Sequence, residues 1–397
     1  MNDRVRRVLI AGGGIAGPVA AMALQKAGIE STVYEAHPGT ADGKGGGLSV
    51  APNGMDALDV IGAGDAVRAL GKPMEGIVLQ DWRGRRLGEF GNPPGVAPMQ
   101  FMFRHEIYRV LLDEAAARGI DVRYGKRLTG AEDTGDSVTA RFEDGTAADG
   151  DLLVGADGIR SVVRTLIDPA APGPRYAGLI SFGALVIAPG LPSTDGRMNM
   201  PFGKRGFFGY QVFDDDTAVW FVNLPHPRPV TLAEVRETAA EDWLERLAPL
   251  YADDLTPAAD LIGRTPPEDL IVVGPMENMP RVETWSKGRM VLTGDSVHAP
   301  SSSSGMGATL AVESALELAR CLRDLPYPRA FEAYERLRRP RVEKVIAATN
   351  RKNSAKAAGP VMRVVNAWAI KVFASFSKPE KMAWVFRHRV DWDAPAG

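Results

Sequence analysis

One cysteine, Cys321, among 397 residues excludes an internal disulfide framework and a cysteine-rich metal site. That usage suits a reducing, cytoplasmic setting. Histidine is also sparse. His37, His105, His226, His298 and His388 show no metal-ligand spacing, so no metal is expected. Neither sign of charge prevails: 47 Lys and Arg against 49 Asp and Glu leave a formal net charge of -2. A protein held to nucleic acid by bulk charge is therefore not expected. Long apolar runs are missing as well. The most hydrophobic late segment, 360–376, carries Arg363 and Lys371, so a membrane span of about 18–20 uncharged residues is absent. Arg4, Arg6 and Arg7 precede an apolar stretch in the manner of a secretion signal, but Gly12, Gly13, Gly14 and Pro18 interrupt it.

Apolar residues make up 45% and charged residues 24%, a soluble globular composition. The length predicts two or three domains with no need of a disulfide or metal staple. Glycine is plentiful at 43, so turns and close backbone approaches should matter. The first unit reads strand (8–11), glycine turn (12–17), helix to Lys26 with Gly28 beyond its end, and strand (31–35). A helix over 54–61, a hairpin over 76–90 and an amphipathic helix over 106–117 follow. Next come a meander (121–124 and 137–142) and a buried strand at 152–154. From 176 to 280 short apolar and aromatic runs (179–186, 206–213, 217–224) suggest an antiparallel sheet, interrupted by one helix over 232–247. A buried strand returns at 289–295, then a serine-rich loop, a helix over 307–322, and a helical tail over 327–383. The tail's basic run, Arg336, Arg338, Arg339 and Arg341, reads as a solvated face. There is no internal repeat.

Three stretches carry chemistry. Gly12-x-Gly14-x-x-Gly17 is a dinucleotide fingerprint: Gly12 for the tight turn, Gly14 for approach of a pyrophosphate, Gly17 for helix–strand packing. The helix start around Ile15 and Ala16 then offers free N–H groups and partial positive charge to phosphate. Glu35, at the end of the second strand, stands where an acid bonds a ribose hydroxyl. It favours FAD or NAD over NADP, whose extra phosphate it would repel. The second stretch runs from Gly155-Ala156-Asp157-Gly158 to Arg160 and Arg164: a strand end, an Asp-Gly turn and a helix start. The third is Gly294-Asp295-Ser296-Val297-His298-Ala299-Pro300, followed by Gly305-Met306-Gly307-Ala308. Asp295 at a strand end can accept from ribityl or ribose hydroxyls. The glycines can lay backbone N–H groups against a cofactor that becomes anionic.

Together these stretches resemble the single-component FAD-dependent aromatic hydroxylases, the para-hydroxybenzoate hydroxylase-like flavoprotein monooxygenases. The resemblance covers most of the chain. It implies an α/β fold: a Rossmann-like FAD-binding domain (1–75, 101–172 and 283–326), an inserted, mostly antiparallel β-sheet substrate domain (76–100 and 173–282), and a C-terminal helical region (327–397). It implies that Gly12, Gly14, Ile15, Ala16, Gly17 and Glu35 hold the ADP half of FAD. Arg104 matches an arginine that opens a helix on the flavin side, and Asp157 an acid implicated in FAD and NAD(P)H binding. Asp295 matches the ribityl-bonding acid, and Gly305, Gly307 and Ala308 the loop and helix start beside the isoalloxazine. With no second GxGxxG, NAD(P)H is expected as a transient reductant. The implied reaction forms a flavin hydroperoxide that delivers one atom of molecular oxygen to an aromatic or polyketide-like molecule, as in secondary metabolism. A monomer or homodimer in the cytoplasm is expected.

Phe208, Tyr210, Phe221 and Asn223 are candidates for the substrate wall. No side chain is named as a general base. Ser302 and Thr309 depart from the family's usual proline and asparagine, so altered packing beside the flavin ring is expected. Asp295, His298 and Ser301 imitate a hydrolase triad, but the GxSxG elbow is missing. The alternatives are a flavin reductase or dehydrogenase of the same fold, and a non-catalytic FAD-binding module.

Overall fold

The computed structural model describes residues 5–39, 45–301, 304–350 and 383–397, with no side chains for 349 and 350. Short runs of consecutive apolar residues set its first layer. Arg7–Ala11 and Leu152–Gly155 bury almost every residue, which only a strand covered on both faces can do. They lie side by side in a six-stranded sheet ordered Ser286–Lys287, Met290–Leu292, Leu152–Gly155, Arg7–Ala11, Glu30–Tyr34 and Asp121–Arg123. All neighbours but the first pair are parallel. Helices Ala16–Lys26 and Gly307–Asp324 pack together, and their buried faces join one large core with the sheet.

A seven-stranded sheet forms the second layer. Its order is Ile271–Asn278, Arg175–Ile187, Thr217–Pro225, Phe207–Val212, Arg197–Phe202, Gly76–Asp81 and Arg86–Gly91. Its strand pairs are antiparallel, save that Arg197–Phe202 runs parallel to Gly76–Asp81. The two faces differ. Phe182, Phe208, Trp220 and Val222 share a core with Leu247, Tyr251 and Leu261 of helices Ala240–Tyr251 and Ala258–Gly263, and this is the outer face. Val219, Met198 and Phe221 point the other way, onto Phe101 and Met74. Those two belong to a small sheet of Gly47–Val50, Met99–Phe103 and Lys72–Met74, which is therefore the floor under the inner face. The fold is thus α/β with a large, mostly antiparallel sheet and C-terminal helices, as expected.

Four expectations need correction. The single helix over 232–247 is two, Leu232–Glu237 and Ala240–Tyr251. The break lets Trp243 fold back and donate its indole N–H to the Val235 carbonyl, which the helix end would otherwise leave unpaired. The segment at 121–124 does not join the meander. Asp121–Arg123 pairs with Glu30–Tyr34, and the meander is Leu128–Asp133, Val138–Phe142 and Ala147–Gly150. The basic run of the tail is not a solvated face. Arg338 on helix Tyr327–Asn350 is 1% exposed and Arg341 is nearly buried, while only Arg336 of the four is exposed. The helix over 54–61 begins earlier, at Pro52, whose fixed φ suits a first turn. The tail segment 351–382, including 360–376, lies outside the described residues. Among the described residues no helix is long and apolar enough to cross a membrane.

The inward arginines converge on Glu313. Arg338 donates to Glu313 Oε2 at 2.7 Å, and Arg341 to Oε1 at 2.9 Å and Oε2 at 3.1 Å. Asn53 donates to Oε1 as well. One buried carboxylate thereby ties helices Pro52–Val60, Gly307–Asp324 and Tyr327–Asn350 together. Burial alone would raise the Glu313 pKa, but Arg338 and Arg341 outweigh it and hold it down to about 2. The stabilisation is therefore full above the ordinary carboxylate range and is lost as pH falls through about 2. Removing Glu313 strands the buried charge of Arg338, so Glu313→Leu should lower stability by about 3–5 kcal/mol in urea unfolding. Arg160→Met, which breaks the surface pair with Glu277, should cost at most about 1 kcal/mol. Equal losses in the two variants would show that the buried network is not what locks these helices.

Candidate cofactor and substrate site

The turn after strand Arg7–Ala11 is built on missing side chains. A Cβ at Gly12, whose φ is +105°, would lie 2.4 Å from the Ala156 carbonyl oxygen, and one at Gly17 would lie 1.9 Å from the Gly12 oxygen. Both positions admit only glycine because backbone occupies the space. Gly14 differs: its nearest neighbour is the Tyr108 ring at 3.8 Å, so the position is open on the side where a ligand would approach. Ile15 and Ala16 are buried at the start of helix Ala16–Lys26, whose first N–H groups face the same turn. Glu35 is fixed at the loop's edge. It accepts from the Gly13 N–H at 2.7 Å and from the His37 N–H at 2.8 Å, one bond per oxygen.

Three stretches far apart in sequence meet here. Gly12 abuts Ala156 and Asp157, and a Cβ at Gly294 would meet that of Ala16 at 2.8 Å. Ser296 donates to the Gly155 carbonyl at 2.7 Å, and Arg164, buried, donates to the Ser296 carbonyl at 2.8 Å. Asp157, the acid expected to take part in FAD and NAD(P)H binding, is bonded within its own turn. Its carboxylate accepts from the Ser161 hydroxyl and from the Val162 and Val163 N–H groups at 2.7 and 3.1 Å. It caps helix Val162–Ile167 and holds the turn that Gly12 packs against.

Arg104 opens helix Arg104–Ala117, and Asp295 opens the short helix Asp295–His298. Both lie deep in the molecule, yet both remain exposed. That combination belongs to groups lining an internal groove. Burial pushes the Asp295 carboxyl up, and the Arg104 charge opposes the rise. Tyr108 is a third member that motif reading missed. It stands one turn beyond Arg104, feels the charges of Arg104, Asp295 and Glu35, and is the nearest side chain to Gly14. The i, i+4 spacing from Arg104 is the signal that could have found it. Gly305, with φ +65°, and Gly307 lead into helix Gly307–Asp324, with Ala308 half-buried behind them.

Thr309, fully buried, accepts from the Ala51 N–H at 2.9 Å, so this departure ties two helices and does not face the groove. Ser302 lies outside the described residues. The imitation triad dissolves: His298 Nε2 bonds the Ser314 hydroxyl at 2.8 Å, and burial drives the His298 pKa down to about 3. No metal-holding cluster of His, Cys, Asp or Glu occurs among the described residues.

The four substrate-wall candidates split. Phe208 and Tyr210 belong to the outer-face core, Phe208 stacking on Trp220 at 5.7 Å, so neither forms a wall of the inner space. Residues two apart on a strand share a face, so the two stay together on the outer side. Phe221 packs with the inner cluster, and Asn223, two residues on, shares its face. A Cβ at Gly209 would lie 2.3 Å from the Phe221 ring, so the ring fills the place of that missing side chain. Leu185, paired with Val219, and Val273, against Gly46, stay exposed beside it. The inner face is therefore an accessible apolar wall. Strand Met99–Phe103, opposite, runs directly into Arg104 and joins it to the groove.

Residues 6–349 match the FAD binding domain family. The chain is 31% identical over 350 residues to an aurachin C monooxygenase/isomerase of Stigmatella aurantiaca, covering 87% of this chain and 88% of that protein. It is 31% identical over 376 residues to an FAD-dependent urate hydroxylase of Klebsiella pneumoniae, covering 91% and 93%. The structure of HpxO from Klebsiella pneumoniae, complexed with FAD and uric acid, matches with a TM-score of 0.82 at 26% identity, covering 96% of this chain and 95% of that one.

FAD fits the groove. The Gly14 side is open, a helix N-terminus faces it, an acid stands at its edge, and a deep Arg–Asp–Tyr set lines its far part. Gly14→Val should therefore fold normally by circular dichroism and lose its FAD, because the added atoms enter ligand space. Gly17→Val should lose both fold and FAD, because its atoms would enter backbone. Full FAD retention in Gly14→Val would remove this turn from the cofactor site.

Proposed function

The chain belongs to the FAD binding domain family of aromatic-hydroxylase-like flavoprotein monooxygenases, and from that premise we propose that it uses NAD(P)H and molecular oxygen to place one oxygen atom on an aromatic or polyketide-like small molecule. That it is an FAD-dependent monooxygenase follows from its relatives, including a 6-hydroxynicotinate 3-monooxygenase of Pseudomonas fluorescens at 29% identity. The observation that carries the finer reading is that the cofactor groove and the inner face of the large sheet share the strand Met99–Phe103.

Bound FAD supplies the electron transfer from reduced nicotinamide to oxygen, one atom of which enters the substrate while the other leaves as water. The chain's own groups position and shield. The turn at Gly12, Gly14 and Gly17 and the helix start at Ile15 and Ala16 hold the diphosphate. Glu35 keeps lone pairs for ribose hydroxyls after its two backbone bonds. Asp295 accepts from the ribityl chain, and Arg104 and Tyr108 line the passage between the two. Asp157 acts through the turn it caps. The helix start at Gly305, Gly307 and Ala308 would offer its N–H groups to the ring and favour negative charge on it. Phe221, Leu185, Val273 and Phe101 would shield the bound ring from water once a substrate covers them. In this reading residues 1–75, 101–172 and 283–326 bind FAD, and 76–100 and 173–282 cover the substrate.

Two tests follow from these assignments. Turnover of an aromatic metabolite under isotopically labelled oxygen gas, with NADH or NADPH, should give a product carrying one labelled atom and substrate-stimulated nicotinamide oxidation. Label entering from water, or a product altered only in hydrogen content, would sink the oxygenase reading. The two faces of the sheet should also separate. Phe221→Ala should weaken substrate binding with modest loss of stability. Phe208→Ala should cost about 3–5 kcal/mol in urea unfolding while substrate affinity of the folded fraction is unchanged. The reverse pattern would mean the faces are exchanged.

A further inference from the structure

Gln211 stands on the inner face, paired with Val219 and, one step along from the Asn199–Tyr210 pair, opposite Met198. Its side chain is fully buried, and neither Oε1 nor Nε2 has a hydrogen-bond partner. Among the described residues no other amide is orphaned at both ends. A carboxamide offers two donors and two acceptor lone pairs, and leaving them unmet away from water is costly. Packing gives no reason to keep it there. Its strand neighbours Met198 and Val219 belong to an apolar cluster with Met74 and Phe101, and leucine or methionine would suit that face without the penalty.

The setting is soft. Met74 and Met198 lie in this cluster, with Met99 and Met200 packed against it. Unbranched thioether side chains re-pack easily, so a flat molecule between the sheets can part them and reach the amide. Phe101 precedes Arg104 by three residues, about 10 Å of strand, so a ring held at Gln211 is within molecular reach of the cofactor groove.

We propose that Gln211 is a specificity-determining residue of the substrate site and that its carboxamide pairs with a lactam edge, a ring C=O beside a ring N–H on a planar heteroaromatic substrate. The inference rests on the monooxygenase reading of that site. A primary carboxamide holds its C=O and one N–H side by side in a plane, so a lactam meets both with two parallel hydrogen bonds. A lone hydroxyl or carbonyl would leave one end of the amide unmet. A carboxylate would face Oε1 with like charge, and any ion would lose its hydration among the methionines.

The test uses the FAD-loaded protein, reading the flavin absorption band while titrating carbostyril (a fused-ring lactam) and its N-methyl derivative, which keeps the carbonyl and lacks the N–H. Wild type should bind carbostyril at least about tenfold more tightly than the methylated compound. Gln211→Leu should retain FAD, bind the two compounds alike, and melt at or above the wild-type temperature, because an orphaned buried amide has gone. Equal affinities in wild type, or binding of neither compound, would overturn the proposal. So would a Gln211→Leu variant that melts lower, since the amide would then have a structural partner such as a buried water. Oxygen uptake driven by NADH or NADPH, measured on the same wild-type sample against a panel of aromatic compounds, separates the two readings. No uptake with any of them sinks the monooxygenase function, whereas uptake without lactam discrimination sinks the role of Gln211 alone.

Discussion

The contact on which the site depends is between the Gly12 carbonyl and the side chain that Gly17 lacks. With 1.9 Å between that oxygen and where a Cβ would be, the helix Ala16–Lys26 lies against its own strand as closely as backbone allows. The closeness aims the helix N-terminus at the groove and fixes the Gly14 turn beside Tyr108. Gly12 in turn leaves no room for a side chain against Ala156, so the neighbouring strand's end is held at the same point. The stretches around Gly155 and Gly294 are then locked to each other through Ser296 and Arg164. Small residues and carbonyl-directed hydrogen bonds, with few charges, build the rigid part of the cofactor cradle.

A second constraint acts from behind. Glu313 sits on helix Gly307–Asp324, whose first turn carries Gly307 and Ala308, and its bonds to Arg338, Arg341 and Asn53 fix that helix against two others. Thr309, through Ala51, does the same at the helix start. The helix start proposed to lie beside the flavin ring is therefore held from behind by these bonds. A buried ion pair is an expensive way to gain stability, since apolar packing often does as well. In this position it fixes direction, which apolar packing alone does weakly.

The large sheet divides its two faces by chemistry. The outer face is a closed aromatic core under helices, with Phe208 in contact with both Trp220 and Tyr251. The inner face keeps apolar residues accessible at Leu185 and Val273 and gathers flexible methionines around one unpaired amide. A rigid backing and an adaptable front are what a site requires if it is to admit a molecule and still hold it against a fixed ring.

Local grammar determined the cofactor half of this protein. The spacing of Gly12, Gly14 and Gly17, the acid at Glu35, and the strand-to-turn patterns at Asp157 and Asp295 are written within a few residues each, because backbone geometry dictates them. The parallel sheet and the antiparallel runs were legible for the same reason. Three matters were settled only by tertiary structure. Strand alternation shows that Phe208 and Phe221 face opposite ways but not which way is inward, since that depends on where helices 232–263 dock. The arginines at 338 and 341 look solvated until Glu313, some 25 residues earlier on another helix, supplies the buried partner that admits their charge. Asp157 carries the family pattern, yet its bonds to Ser161, Val162 and Val163 show it shaping the turn. In each case the deciding partner is brought near by packing, and a one-dimensional pattern holds no record of it.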